Sequence, residues 1–169
     1  MKSPYLREVL SGKALRKTVS RLFQAVKFSR ISFDCIAFRG NSGAIVAPSL
    51  AEALGKGLIL VRKNAHSSHS WETVEGSHRK NGRYVIVDDG VSTGDTIETI
   101  SREISRAEKF HSMILVGIFL YAKGFSQYNL EKFVKDIDVP VYGNCKWYGL
   151  EKKRVFRKSP RKTIRSCSL

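Results

Sequence analysis

One stretch of thirteen residues restricts the fold of this chain more than any other part of its sequence. In residues 84–96, YVIVDDGVSTGDT, four apolar side chains are followed by the acid pair Asp88 and Asp89 and then by a loop of small residues. The next segment, ETISREISRAEKF, has apolar residues at helical spacing. This order is typical of a buried strand, a tight turn and a helix N-terminus.

Such a turn has a chemical use, because the first N–H groups of a helix lack partners and the helix dipole favours negative charge. Ser92, Thr93 and Thr96 add hydroxyl groups, and the glycines let the backbone approach a ligand closely. Two adjacent carboxylates can accept hydrogen bonds from a sugar diol or hold a hydrated Mg²⁺. A phosphate-binding site beside a site for a diol or a metal ion suits a sugar phosphate.

The sequence DDGVSTGDT resembles the loop that binds phosphoribosyl diphosphate (PRPP) in the type I phosphoribosyltransferases. Strand, acid pair, small polar loop, glycine and threonine all occur in that order. The alternative is a strand that ends in a solvated acidic turn. A Walker A loop is excluded, because the glycine-lysine ending that it requires is missing.

The resemblance covers roughly residues 33–143 and implies transfer of phosphoribose from PRPP to a nitrogenous base with release of diphosphate. It implies that Asp88 and Asp89 hold the ribose hydroxyls and Mg²⁺, directly or through water. The residues implied to bind the 5′-phosphate are Val91, Ser92, Thr93, Gly94, Asp95 and Thr96.

A second turn is implied to bind the diphosphate. It follows the apolar segment FDCIAF and consists of Arg39, Gly40, Asn41 and Ser42, helped by Arg62 and Lys63 after the apolar run GLILV. Catalysis in such a site is mostly positioning and electrostatics, and its candidate catalytic residues are Asp88, Asp89, Arg62 and Lys63.

Two further segments are candidates for substrate contacts. Residues 64–82 are polar, and the resemblance implies a lid that is mobile over residues 64–76, with His66 and His69 near the diphosphate. A metal site formed by these histidines and His78 is the alternative. After residue 144, Trp147 or Tyr148 can stack on a base, or both can pack in the core.

Strands and helices alternate along the chain, which predicts an α/β fold with a mostly parallel central sheet flanked by helices, a Rossmann-like core. We expect one domain over residues 1–150, with a helical segment at 1–30, a core at 31–143 and a small hood from about residue 144. A basic tail, residues 151–169, follows. The active edge is expected at the carboxyl ends of the strands.

The net charge of +15 lies mostly at the termini. Residues 1–30 and residues 151–169 each hold eight cations against one acid, a net +7 in both segments. This distribution motivates a second hypothesis, a PRPP-sensing regulator that binds nucleic acid on the same fold. Against that hypothesis, no nucleic-acid-binding motif is recognisable.

The remaining features restrict location, assembly and acceptor. Three widely spaced cysteines, no apolar leader and no long apolar run predict a soluble, cytoplasmic protein with no membrane contact. The resemblance implies a homodimer. Ser92 stands where hypoxanthine-guanine enzymes carry an acid, and His66 stands where orotate enzymes carry a lysine. The acceptor can therefore be adenine, another base or a non-nucleotide compound. The resemblance implies a role in nucleotide salvage or synthesis.

Overall fold

The computed structural model describes residues 6, 9–63, 72–122, 133–134 and 137–143, and residues 146–148 for the backbone alone. Three helices lie in these residues, namely α1 (Gly12–Ser29), α2 (Gly40–Leu54) and α3 (Asp95–Arg106). The strands are β1 (Cys35–Arg39), β2 (Gly57–Val61), β3 (Val74–Gly76), β4 (Arg83–Asp88), β5 (Ile114–Leu120), β6 (Val141–Gly143) and β7 (Lys146–Tyr148).

The strands form one sheet in the order β3-β2-β1-β4-β5-β6-β7. The pairs from β2 through β6 are parallel, while β3 and β7 pair antiparallel at the two edges. The predicted α/β fold with a mostly parallel sheet is therefore confirmed. No helix among the described residues is long and apolar enough to cross a membrane.

Helices cover both faces of the sheet, because alternate side chains of the central strands point to opposite sides. On one face, Ala37 and Ile86 pack with the isoleucines of α3. On the other, Ile36 and Val85 pack with Leu50 of α2 and with the buried side of α1. The first layer holds α3 against the central strands, and the second layer holds α2. The N-terminus of α2 lies near the carboxyl end of β1, and the N-terminus of α3 lies near that of β4.

Three local features differ from the sequence predictions. Helix α2 begins at Gly40, directly after β1, so the predicted diphosphate turn is the first turn of a helix and not a separate loop. Strand β3 lies within the predicted lid; the lid prediction is wrong for Val74–Gly76, which pair with β2. Strand β7 lies in the predicted hood and extends the sheet by pairing with β6.

Candidate functional site

The segments implied to bind PRPP lie together at the carboxyl edge of the sheet. The chain runs outward in opposite directions from β1 and β4, since β1 leads to β2 on one side and β4 to β5 on the other. Open α/β sheets bind ligands in the crevice at such a reversal. Arg39 at the end of β1 and Asp88 at the end of β4 lie on its two sides.

The loop between β4 and α3 surrounds an open pocket of about 290 Å³, lined by residues 88–97. Its backbone N–H groups at 90–94 donate to no backbone carbonyl among the described residues. Gly94 caps α3 and offers no side chain to the first N–H groups of that helix. Because these donors lie at the positive end of the α3 dipole, the pocket suits a phosphate group.

The side chains of this loop divide into two groups. Ser92, Thr93 and Asp95 are exposed and Thr96 is half-buried, so their polar groups are accessible to a ligand. Val91 is buried in the core that contains the α3 isoleucines. Val91 therefore anchors the loop, and its backbone is the part that is left for ligand contacts.

Gly94 is required by both its backbone conformation and its surroundings. Its φ of 96° is one that residues with a side chain rarely adopt. A β-carbon there would lie 2.9 Å from Cδ2 of Phe133, whose ring covers the loop. No local sequence pattern signals this contact, because Phe133 is far from the loop along the chain.

The two carboxylates of the acid pair lie in different environments. Asp88 is only 4 % exposed, whereas Asp89 is half-buried. Burial raises the pKa of Asp88 to about 7, helped by a side-chain hydrogen bond and the negative charge of Asp89. The Asp89 N–H and the Ser42 hydroxyl donate to Asp88 Oδ1 and partly oppose that shift. Asp89 is thus the carboxylate that a ligand can reach more easily.

A ring of hydrogen bonds joins α2, β4 and the end of β5. Ser42 Oγ donates to Asp88 Oδ1 at 3.0 Å, and the Tyr121 hydroxyl donates to the Ser42 carbonyl at 3.0 Å. The Tyr121 N–H closes the ring by donating to the Asp88 carbonyl at 3.1 Å. The Ser42 hydroxyl has only one proton to donate, so its donor is committed to Asp88. Sequence reasoning had assigned Ser42 to the diphosphate and had missed Tyr121.

Cations surround the N-terminus of α2. A β-carbon on Gly40 would lie 2.8 Å from Cε and 3.1 Å from Nζ of Lys63, so the lysine side chain extends across the first turn of the helix. Arg39 Nε is buried and has no hydrogen-bond partner among the described residues. A buried donor of this kind is stabilised when an acceptor reaches it. Two of the predicted diphosphate residues thus meet at one helix N-terminus.

Arg62 lies close to this turn but is engaged elsewhere. Its Nε and Nη2 donate to the Glu75 carboxylate of β3 at 2.9 Å and 2.8 Å. This two-bond pair ties the end of β2 to the edge strand. A diphosphate contact by Arg62 would require its other nitrogen or an opening of the pair.

Other predicted site residues lie outside the described part of the chain. His66 and His69 are among them, and for Trp147 and Tyr148 only the backbone in β7 is described. His78 is exposed, and its ring contacts Phe110. Within the described residues, no group of three or more His, Cys, Asp or Glu side chains could hold a metal ion.

No family model matches the chain. Among curated proteins it is similar to an orotate phosphoribosyltransferase of Coxiella burnetii, 33 % identical over 89 residues, which are 52 % of this chain and 43 % of that protein. It is also similar to the transcriptional regulator GfcR of Methanocaldococcus jannaschii, 28 % identical over 100 residues, 56 % of this chain and 47 % of that protein. The chain thus spans less than half the length of these relatives.

Two solved structures extend the comparison. UMP synthase of Leishmania donovani superposes with a TM-score of 0.65 at 21 % identity, over 82 % of this chain and 28 % of that chain. An adenine phosphoribosyltransferase superposes with a TM-score of 0.64 at 18 % identity, over 82 % of this chain and 84 % of that chain.

The chain therefore has the type I phosphoribosyltransferase fold, and the resemblance first noted in DDGVSTGDT is confirmed. Both orotate and adenine phosphoribosyltransferases occur among the proteins it is similar to. Their different acceptors leave the subfamily of this chain undefined.

Proposed function

We propose that this protein binds PRPP and transfers its 5-phosphoribosyl group to a nitrogenous base, with release of diphosphate. The observation that carries the proposal is the junction of two anion-binding helix N-termini at one crevice. Ser42 in the first turn of α2 is hydrogen bonded to Asp88 at 3.0 Å, directly before the loop that leads into α3. A sugar with phosphate groups at both ends matches two anion-binding helix N-termini with carboxylates between them.

Each part of the site has a distinct task in this reaction. The N-terminus of α3, with the hydroxyls of Ser92, Thr93 and Thr96, binds the 5′-phosphate. Asp89 accepts hydrogen bonds from the ribose hydroxyls, while Asp88 supports it from the interior. The N-terminus of α2 and Lys63 bind the diphosphate, which gathers negative charge as the glycosidic bond breaks.

The carboxylates at the end of β4 also suit Mg²⁺. This ion is usually held by one or two carboxylates together with substrate phosphates and water, so no larger acidic cluster is required. Asp89 is the more accessible ligand, with Asp88 next to it. Bound there, the ion would supply positive charge that stabilises the departing diphosphate.

The experiment that tests this function is a screen of acceptors for release of diphosphate from PRPP. Purines, pyrimidines and non-nucleotide amines are each incubated with the protein, PRPP and Mg²⁺. We expect one acceptor to release diphosphate in proportion to enzyme concentration. Tight PRPP binding without release for any acceptor would contradict the transfer reaction.

A second candidate function is a PRPP-sensing regulator that binds nucleic acid. The similarity to GfcR and the net +7 of residues 1–30 favour it. Such a regulator would bind PRPP at the same crevice without turnover. The acceptor screen separates the two candidates, because only an enzyme releases diphosphate.

A further inference from the structure

Helix α1 carries a row of cations on the side that faces away from the protein. Its eighteen residues hold five Lys or Arg side chains and no acid. At about 100° per residue, six exposed residues fall within an arc of roughly 100° around the helix axis. These residues, called the basic stripe below, are Lys13, Arg16, Lys17, Ser20, Gln24 and Lys27.

We propose that the basic stripe binds the phosphate backbone of a nucleic-acid duplex. Lys13 and Lys27 are fourteen positions apart, which is about 21 Å along a helix. Phosphates follow each other closely over such a length of duplex, so several cations can each neutralise one. Ser20 and Gln24, which lie between the lysines, add uncharged hydrogen-bonding groups suited to phosphate oxygens.

The stripe cations are not neutralised by acids in the described part of the fold, and Lys27 Nζ lies over the Phe23 ring, 5.4 Å from its centroid. Within the described residues, no ion pair involves Lys13, Arg16, Lys17 or Lys27. The cations of α3 contrast with them, because Arg102 and Arg106 both lie close to the Glu103 carboxylate of their own helix. An ordinary solvated helix face mixes charges of both signs, whereas the stripe presents one sign over its whole length.

The opposite side of α1 argues against a membrane as the partner. Thr18, Leu22 and Val26 are buried, and the two apolar side chains pack in the core layer that also contains α2. A helix that lies on a membrane inserts its apolar face among the lipids. Here Leu22 and Val26 are already covered by the protein, and Phe28 is the one large apolar side chain of α1 that is strongly exposed. A single exposed phenylalanine is not an apolar face, so the cationic side of α1 suits a hydrophilic polyanion better than lipid.

Binding is measured as the fluorescence anisotropy of a labelled duplex of about 20 base pairs over a series of salt concentrations, with the full chain. Each phosphate contact with B-DNA contributes about −0.9 to the slope of log K against log salt. The triple variant Lys13→Gln, Lys17→Gln, Lys27→Gln is therefore expected to weaken the slope by about 2.7 and the affinity at about 0.1 M salt by at least tenfold. Each single variant is expected to weaken the slope by about 0.9.

The matched control is Lys80→Gln, Arg102→Gln, Arg106→Gln, which removes three exposed cations away from α1. It keeps the slope of the parent if the stripe is the binding surface. Equal losses in both triple variants would assign binding to net charge and overturn the proposal. It is equally overturned if the parent does not bind the duplex at about 50 mM salt, or if it binds phosphatidylserine vesicles instead of the duplex.

Discussion

The acid pair at the end of β4 combines one buried and one accessible carboxylate. Asp88 is buried, and its Oδ1 accepts hydrogen bonds from the Ser42 hydroxyl and from the Asp89 N–H. Asp89 is half-buried beside the pocket and can face a ligand. Substitution of Asp88 and substitution of Asp89 should therefore have different effects from each other.

Asp88→Asn is expected to change how stability depends on pH. The pKa of Asp88 is about 7 in the folded protein against a reference value of 3.8, so the folded state holds a proton that the unfolded state releases. The stabilisation is fully present below pH 3.8 and is lost as the pH rises through 7. In the ligand-free parent the loss is about 4 kcal/mol. Asn does not titrate, so denaturant unfolding should find the variant more stable than the parent at pH 8.

Asp34→Asn is a control of opposite sign. The Arg83 N–H donates to the Asp34 carboxylate at 2.8 Å and lowers its pKa. This group stabilises the fold above its unfolded pKa, and the contribution is lost as the pH falls through the folded pKa. Its variant should lose stability at neutral pH. If Asp88→Asn behaves in the same way, the buried carboxylate is not protonated as described.

Asp89→Asn is expected to disable ligand chemistry without disturbing the fold. The change keeps the shape of the side chain and removes a charge that would hold the ribose hydroxyls and Mg²⁺. Loss of one well-aligned interaction costs about 2–4 kcal/mol at the transition state, roughly a thirty- to thousandfold fall in rate. Steady-state kinetics and calorimetric PRPP affinity test this. An unchanged affinity in a variant that melts like the parent would remove Asp89 from the site.

At the level of the elements, the ring formed by Ser42, Asp88 and Tyr121 fixes the first turn of α2 against the end of β4. Tyr121→Phe removes the hydroxyl that donates to the Ser42 carbonyl and keeps the aromatic side chain. We expect a loss of about 1 kcal/mol in stability and, in addition, weaker PRPP binding, because the two phosphate seats lose their fixed spacing.

Tyr84→Phe is the matched control for Tyr121→Phe. Tyr84 is also a buried tyrosine, and its hydroxyl is hydrogen bonded to Ser101 on the other face of the sheet. It should lose similar stability and keep the PRPP affinity of the parent. Equal PRPP affinities in the two variants would mean that Tyr121 serves stability alone.

The capping residue of α3 allows a second comparison between elements. Gly94→Ala combines an unfavourable φ of 96° with a β-carbon 2.9 Å from Phe133. Gly55→Ala also has a positive φ, 62°, but its β-carbon meets no atom within 4 Å. Both should lose about 1 kcal/mol or more in stability. Only Gly94→Ala should also lose PRPP binding, as measured by calorimetry, and equal binding in both would contradict the phosphate seat.

For the whole molecule, binding of PRPP with Mg²⁺ should raise the melting temperature. A ligand that binds only the folded state at a hundred times its Kd adds about 2.7 kcal/mol of stability. For a chain of this size that is a shift of about 5–10 °C. Scanning calorimetry with millimolar PRPP measures it, with ribose 5-phosphate and diphosphate alone as controls. No shift with PRPP would contradict the proposed function as a whole.

The sequence by itself determined the main strands, the turn between β4 and α3 and the α/β class, because these depend on local patterns. The apolar run before Asp88 and the small residues after it predict a strand, a turn and a helix wherever they lie in the chain. The N-terminus of α1 is likewise local, since the Ser11 side chain caps it by accepting a hydrogen bond from the Ala14 N–H.

Only the tertiary structure decided which polar groups meet. Ser42 and Asp88 are 46 residues apart in the sequence, and Tyr121 and Ser42 are 79 apart. Strand β3 has three residues and exists only through its pairing with β2, where Glu75 also captures Arg62. Burial, pKa and hydrogen-bond partners are set by neighbours in space, so the unequal roles of Asp88 and Asp89 could not be predicted from their adjacent positions in the chain.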